Sequence, residues 1–414
     1  MRVTFFNRSY APDTGATGQL LTELAEDLVA HHGWDVTVVT GRPLLGHTSV
    51  PARETRNGVT VIRAAGTAFN PRRFVARAAN YLTYFLSACL VARRLPAQHV
   101  VVAMTDPPII GLAALLVRGG ARFVFYCQDI FPEVASLLED FRSPMVDRLL
   151  DRLNRFIVRR ADRIVALGET MRQRLVEEKG ADPARLVIVH NWADADAITP
   201  APKRNPFSEA QGLVDRFVVL HAGNIGLAQN LEVVLDAAER LSTRDDILFL
   251  FIGDGSRRAR LEAAAQDRGL SNVRFLSFQP RESLRWTYAS ADVCLVSLAP
   301  GLAGYIVPSK IYPVLAAGRP SIAAVERETE LAGLLDARAC GLQVPPGDGE
   351  ALAGAVARLA GDGVLRRALG ERARAAAMSF TRPGQVAAFA GVLAGVAANQ
   401  TASAAARVPD TRGC

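Results

Sequence analysis

Short apolar runs alternate along the chain with longer stretches in which apolar residues return every three or four positions. Val3–Phe6 is a run of the first kind; Gly18–His32, with Leu20, Leu21, Leu24 and Leu28 on one face, is of the second. Val36–Thr40, Val100–Met104, Arg122–Cys127, Arg163–Leu167 and Leu186–Val189 continue the series, with helical patterns between them. Such alternation predicts a parallel sheet with helices on both faces. The Pro-rich stretch Thr199–Pro206 interrupts it and reads as a linker. A second series places strands at Phe217–His221, Ile247–Ile252, Val273–Leu276, Val293–Ser297 and Ser321–Ala323, with helices at Asn230–Leu241, Arg257–Arg268 and Ser309–Ala317. Helices near Glu350–Leu359, Gly363–Ala377 and Gln385–Ala398 close it. The expected fold class is α/β: two doubly wound parallel-sheet, Rossmann-like domains at 1–198 and 199–380. A helix over 381–398 is expected to pack back on the first domain, ahead of a disordered tail at 399–414. The carboxyl ends of two such sheets would face each other across a cleft, where ligands bind in these folds.

A length of 414 residues suits two domains, and a composition half hydrophobic and about a fifth charged excludes bulk disorder and disulfide-dense scaffolds. The formal net charge is +7, and 45 of the 48 basic residues are arginine; the lysines are Lys179, Lys203 and Lys310. The whole excess falls within residues 51–100, which hold eight arginines and one acid, Glu54. The five cysteines are scattered without a CxxC pair, so no zinc or redox site is expected. The N-terminus has no signal-peptide layout, Tyr81–Ala92 is too short to span a bilayer, and Val100–Val117 is broken by Asp106-Pro107-Pro108. A cytoplasmic protein without a spanning helix is the expectation. Between Asn70 and Pro96, helical spacing puts Arg73, Arg77, Asn80 and Tyr84 on one face and Val75, Leu82, Leu86 and Cys89 on another. Two readings stand: a basic amphipathic helix lying in lipid headgroups, or a core helix with a solvated basic face. No recognition motif supports a nucleic-acid partner.

Candidate chemistry gathers where glycines follow strands. Gly223-Asn224-Ile225-Gly226-Leu227-Ala228-Gln229 allows close backbone approach before a helix start, a natural place for a phosphate, although a plain strand–turn–helix joint reads the same way. Gly253-Asp254-Gly255-Ser256 is half of a dinucleotide turn, with Asp254 expected to cap the next helix. In Gly304-Tyr305-Ile306-Val307-Pro308-Ser309-Lys310, Pro308-Ser309 starts a helix and sets Lys310 in its first turn, where the helix dipole disfavours a cation. A diphosphate there would justify it; an exposed lysine at a fraying end is the other reading. His31 and His32, ending the first helix, read as dipole partners.

With Ala316-Ala317-Gly318-Arg319-Pro320 and 340–348, and with Tyr10–Gly18, His32–Thr40, Gln128–Glu133 and His190-Asn191-Trp192 in the first half, these turns resemble family 4 glycosyltransferases of the GT-B fold over roughly residues 1–395. The resemblance is strongest to the bacterial branch that adds an N-acetylated deoxy-sugar, of the N-acetylfucosamine type, to lipid-linked surface-polysaccharide precursors. It implies a retaining hexosyltransferase of O-antigen, capsule or exopolysaccharide biosynthesis. A UDP-sugar would be the donor and a polyprenyl-diphosphate-linked sugar the acceptor, with no cofactor or metal. The enzyme would sit peripherally on the inner face of the cytoplasmic membrane, with Arg72, Arg73, Arg77, Arg93 and Arg94 toward acceptor or lipid. Donor contacts would come from Gly15, Gly18, Gly223, Asn224, Gln229, Gly253, Phe278, Tyr305, Val307, Ser309 and Lys310. Lys310, Gln128 and Asp129 would form the catalytic group, Asp129 orienting a hydroxyl beside the transferred sugar; a loop cap is its other reading. Most family members carry two glutamates eight residues apart where this chain has Tyr305 and Pro313, and an Arg and a Lys where it has Asn224 and Gln229. Glu328 and Glu330 are the candidates to replace the missing carboxylate. A sugar-nucleotide epimerase of the same architecture is the alternative.

Overall fold

In the computed structural model, which describes residues 1–13, 15–43, 50–67, 69, 74–138 and 143–405, the chain divides into two units. The first is Met1–His190 with Gln385–Cys414, the second Asn191–Gly384.

The first unit is built on β1 (Arg2–Phe6), β2 (Asp35–Thr40), β3 (Arg53–Arg56), β4 (Val59–Arg63), β5 (Val100–Ala103), β6 (Arg122–Tyr126), β7 (Arg163–Ala166) and β8 (Leu186–Ile188). Their order is β3-β4-β2-β1-β5-β6-β7-β8, parallel except for the β3–β4 hairpin. The central strands are apolar at nearly every position because helices cover both faces. The hairpin was not expected. Its turn, Asn57-Gly58, has φ of 46° and 80°, the left-handed pair that closes a two-residue hairpin.

That hairpin changes the reading of the charge. Arg63 is buried, pairs with Glu54 at 2.6 Å and donates to the carbonyl of Ala11; Arg56 pairs with Glu26 at 3.1 Å. The local excess therefore includes structural arginines and is not one continuous patch. Arg72 and Arg73 lie outside the described residues. Arg77 belongs to the helix Phe74–Ala92, and Arg93 and Arg94 follow its end, exposed.

This helix is turned opposite to the reading in which its basic face is solvated. Asn80 and Tyr84, expected on the polar face, point inward: Asn80 Oδ1 accepts from the Phe69 amide and the Thr67 hydroxyl, and the Tyr84 hydroxyl donates to the Val39 carbonyl. Tertiary hydrogen bonds outweigh the hydrophobic pattern here. Val75, Leu82, Leu86 and Leu90 are left 53–78% exposed as an apolar stripe. Val75–Ala92 is also, by length and composition, long and apolar enough to cross a membrane, which a reading starting at Tyr81 missed.

The second unit holds β9 (Phe217–Ala222), β10 (Ile247–Ile252), β11 (Val273–Leu276), β12 (Val293–Ser297), β13 (Ser321–Ala324) and β14 (Gly341–Val344), all parallel, in the order β11-β10-β9-β12-β13-β14. The Pro-rich stretch belongs to this unit. Arg319 donates to the Ala201 carbonyl, Arg374 to those of Ala195 and Ile198, and Lys203 binds Asp292. The division accordingly falls at Asn191 and not at 199.

The last helix, Arg382–Ala405, crosses back to the first unit, where Phe389 packs 4.8 Å from the Tyr126 ring and Gln385 accepts from the His190 amide. It runs on through the first residues of the expected disordered tail; 406–414 lie outside the described residues. Each sheet reverses its winding once, between β1 and β5 and between β9 and β12. In each sheet by itself, loops at the carboxyl ends of the strands flanking the reversal frame a crevice of the kind in which doubly wound sheets take their ligands.

Candidate active site

At the β9/β12 switch point the three glycine turns meet. The Gly223 amide donates to the Ile252 carbonyl and the Ile225 amide to that of Asp254, which weaves the loop after β9 onto the loop after β10. The fit is close enough to dictate residue type. Gly253 has φ of +149°, and a Cβ there would lie 1.9 Å from the Gly223 carbonyl oxygen. The Gln229 side chain accepts from the Gly226 amide at 3.0 Å. From the loop after β12, Lys310 lays its side chain over Gly223, where a Cβ would come within 2.8 Å of Lys310 Cε. Lys310 caps the helix Ile311–Ala316 from outside, one position earlier than its expected place in the first turn.

Lys310 Nζ donates to the Asn224 carbonyl at 2.7 Å and lies within hydrogen-bond distance, 3.0 Å, of His221 Nε2. Burial pulls the Lys310 pKa down to about 7. Burial, followed by the neighbouring Lys310 charge, holds His221 well below the usual histidine range. A cation held by two neutral acceptors and disfavoured by its surroundings is a site ready for an anion.

The other expected donor residues are spread around this centre. Val307 is buried in the loop after β12, with Tyr305 and Ser309 partly exposed beside it. Phe278 presents a half-exposed ring after β11, two strands from the switch point. Glu328 is exposed, and Glu330 opens the helix Glu330–Arg338, whose cap is Thr329. Glu326 also reaches the β12 loop, where it accepts from the Gly301 amide at 3.1 Å. Asp254 accepts from the Gly255 amide at 2.7 Å and does not cap the following helix.

In the first unit, loops after β1, β5 and β6 carry a polar cluster. Asp106 receives hydrogen bonds from Ser9 Oγ at 3.0 Å and Arg8 Nε at 3.4 Å. Burial, with the Asp106 charge as a second cause, raises the Asp129 pKa to about 7. Gln128 is buried, and its Nε2 has no hydrogen-bond partner among the described residues. Gly18 packs against Ser9, whereas a Cβ on Gly15 would meet nothing within 4 Å. Arg8, Ser9 and Asp106 were not singled out from the sequence. The signal available was their place just after the strands that flank the switch point.

Two family models cover most of the chain: "Glycosyl transferase 4-like domain" over residues 15–192 and "Glycosyl transferases group 1" over 216–362. "Probable glycosyltransferase WbjE" of Pseudomonas aeruginosa is 32% identical over 69% of this chain and 72% of its own length. The chain is a family 4-type glycosyltransferase of the GT-B fold. "Putative colanic acid biosynthesis glycosyl transferase WcaI" of Escherichia coli is 28% identical over 81% of this chain and 86% of its own. Among solved structures, Anabaena Alr3699/HepE in complex with UDP-glucose superposes with a TM-score of 0.73 at 17% identity, over 95% of this chain and 100% of that one. This glycosyltransferase is thus related to polysaccharide-biosynthesis enzymes, and the epimerase alternative is without support.

Proposed function

We propose that this glycosyltransferase moves a sugar from a UDP-sugar to a polyprenyl-diphosphate-linked acceptor, with retention at the anomeric carbon and no metal or cofactor. The product would belong to bacterial O-antigen, capsule or exopolysaccharide assembly. The observation that carries this reading is Lys310 laid across Gly223 at a glycine-lined switch point. A diphosphate offers that ammonium the counter-charge it lacks, and the glycines let it approach the backbone closely. The naming of UDP-glucose in the Anabaena complex supports a UDP-sugar as donor. An N-acetylated deoxy-hexose as the sugar rests on the sequence resemblance.

In the reaction, the bond from the anomeric carbon to the UDP β-phosphate oxygen breaks through an oxocarbenium-like transition state, the acceptor oxygen bonds to that carbon on the same face, and the hydroxyl proton leaves with the departing diphosphate. Lys310 stabilises the charge gathering on the departing diphosphate. Asp129, in its ionised form, orients the acceptor hydroxyl, and Gln128 beside it offers its side-chain amide to the sugar.

The acceptor places the enzyme peripherally on the inner face of the cytoplasmic membrane. Supporting this, the apolar stripe of the helix Phe74–Ala92 is exposed and ends at Arg93 and Arg94. On the helix Pro144–Arg160, exposed Met145, Leu149 and Phe156 alternate with exposed Arg148, Arg152, Arg159 and Arg160. Apolar side chains with flanking arginines suit an anionic headgroup layer.

The test is UDP release from a panel of UDP-sugars in the presence of polyprenyl-diphosphate-linked sugars. Release with one donor, lost in Lys310→Ala, is the expected result. No release with any donor, with Lys310→Ala indistinguishable from wild type, overturns the reading.

A further inference from the structure

The donor-site lysine is not held by a carboxylate. Its amino group has two hydrogen-bond partners among the described residues: the Asn224 carbonyl, which any residue would provide, and Nε2 of His221, which only the side chain at that position provides. His221 is the fifth residue of β9 and is 1% exposed. Nε2 also lies 3.4 Å from the Asn224 carbonyl; with the ring proton on Nδ1 it accepts from Nζ, the arrangement that would hold the amino group. The ring also lies 6.0 Å from that of Phe251 on β10, so an apolar aromatic residue would satisfy the packing without the imidazole. Gly223 leaves room for the Lys310 side chain to cross the strand end and reach Nε2.

We propose that His221 is a positioning residue for Lys310. Its Nε2 lone pair and the Asn224 carbonyl fix Nζ above Gly223, and the donor's diphosphate takes over that amino group as an ammonium. The inference rests on the reading that Lys310 meets the donor diphosphate, and it adds what aims the lysine. The groups facing one another here are Lys310 from the β12 loop, His221 from β9 and the Asn224 backbone; Asp254 on the adjoining loop is exposed and engaged with the Gly255 amide. A mobile lysine would have to be ordered by the donor, which weakens binding.

The experiment compares full-length wild type, His221→Phe, His221→Gln and Lys310→Met by calorimetric titration with UDP at pH 8, with thermal unfolding alongside. Phenylalanine keeps the ring and loses the acceptor; glutamine keeps an acceptor and loses the ring. The expected result is UDP affinity about tenfold weaker in His221→Phe and within about threefold of wild type in His221→Gln, whatever the order of their unfolding temperatures. If His221→Phe binds UDP like wild type while Lys310→Met does not, His221 only packs and this inference fails alone. If Lys310→Met also binds UDP like wild type, the donor-site reading fails with it.

Discussion

The two switch points are built from different materials. Around β9/β12 the backbone of three loops is woven together by its own hydrogen bonds over glycines with no room for a Cβ, and one lysine is laid across them. Around β1/β5 they are side chains: Arg8, Ser9, Asp106, Asp129 and Gln128. An ammonium on a glycine-lined surface suits a polyanion, whose oxygens accept from any direction. Carboxylates beside hydroxyl and amide groups suit a partner that must be aimed by its own hydroxyls. Under the proposed function, the same doubly wound frame would serve a charged leaving group in one unit and a neutral nucleophile in the other.

The largest contrast is expected from a single methyl group. Gly253→Ala forces a Cβ onto the Gly223 carbonyl and should abolish UDP binding, with a loss of stability of about 3 kcal/mol by urea unfolding. Gly15→Ala, in open space in the first unit, should stay within about 0.5 kcal/mol of wild type. Equal damage from both would erase the distinction between a packed glycine cradle and an open loop. Next in size, Asp129→Asn should lower kcat by about 10²–10⁴ and leave UDP affinity unchanged, the pattern of a group that acts on the acceptor.

The same residue sets a pH dependence. Asp129 serves its hydroxyl only when ionised, so kcat should rise with pH through about 7. Asp106→Asn removes a neighbouring negative charge and should shift that midpoint toward acid by less than about one unit. A midpoint that stays or moves up would show that the two carboxylates are not electrostatically linked. The smallest effect concerns the surface: Leu82→Glu with Leu86→Glu should weaken sedimentation with anionic vesicles several-fold while UDP affinity holds. Unchanged vesicle binding would assign the stripe no role at the membrane.

The sequence reading reached furthest where local chemistry and tertiary role coincide. Alternating periodicity gave the two sheets, and the glycine turns with a rare lysine gave the centre of the second unit, because these features are imposed by the backbone itself. It failed where a distant partner decides. The helix Phe74–Ala92 has its polar face inward because Asn80 and Tyr84 find acceptors and donors on other segments, which periodicity does not reveal. Arg63 belongs to the interior because Glu54 and the Ala11 carbonyl await it. His221 and Glu326 were invisible as site residues for the same reason: each sits beside a strand end, and only the fold tells which loop crosses over it.

Lys310 is central, and one titration addresses it directly. Burial leaves it mostly uncharged at pH 8 in the free protein, and a diphosphate binds the ammonium form, so UDP binding must take up a proton and weaken as pH climbs above 7. Calorimetry of UDP binding at pH 8 in buffers of different ionisation enthalpy should read uptake close to one proton per site in wild type and close to none in Lys310→Arg. UDP binding without proton uptake, or uptake that persists in Lys310→Arg, would contradict the assignment of the β9/β12 switch point as the donor site.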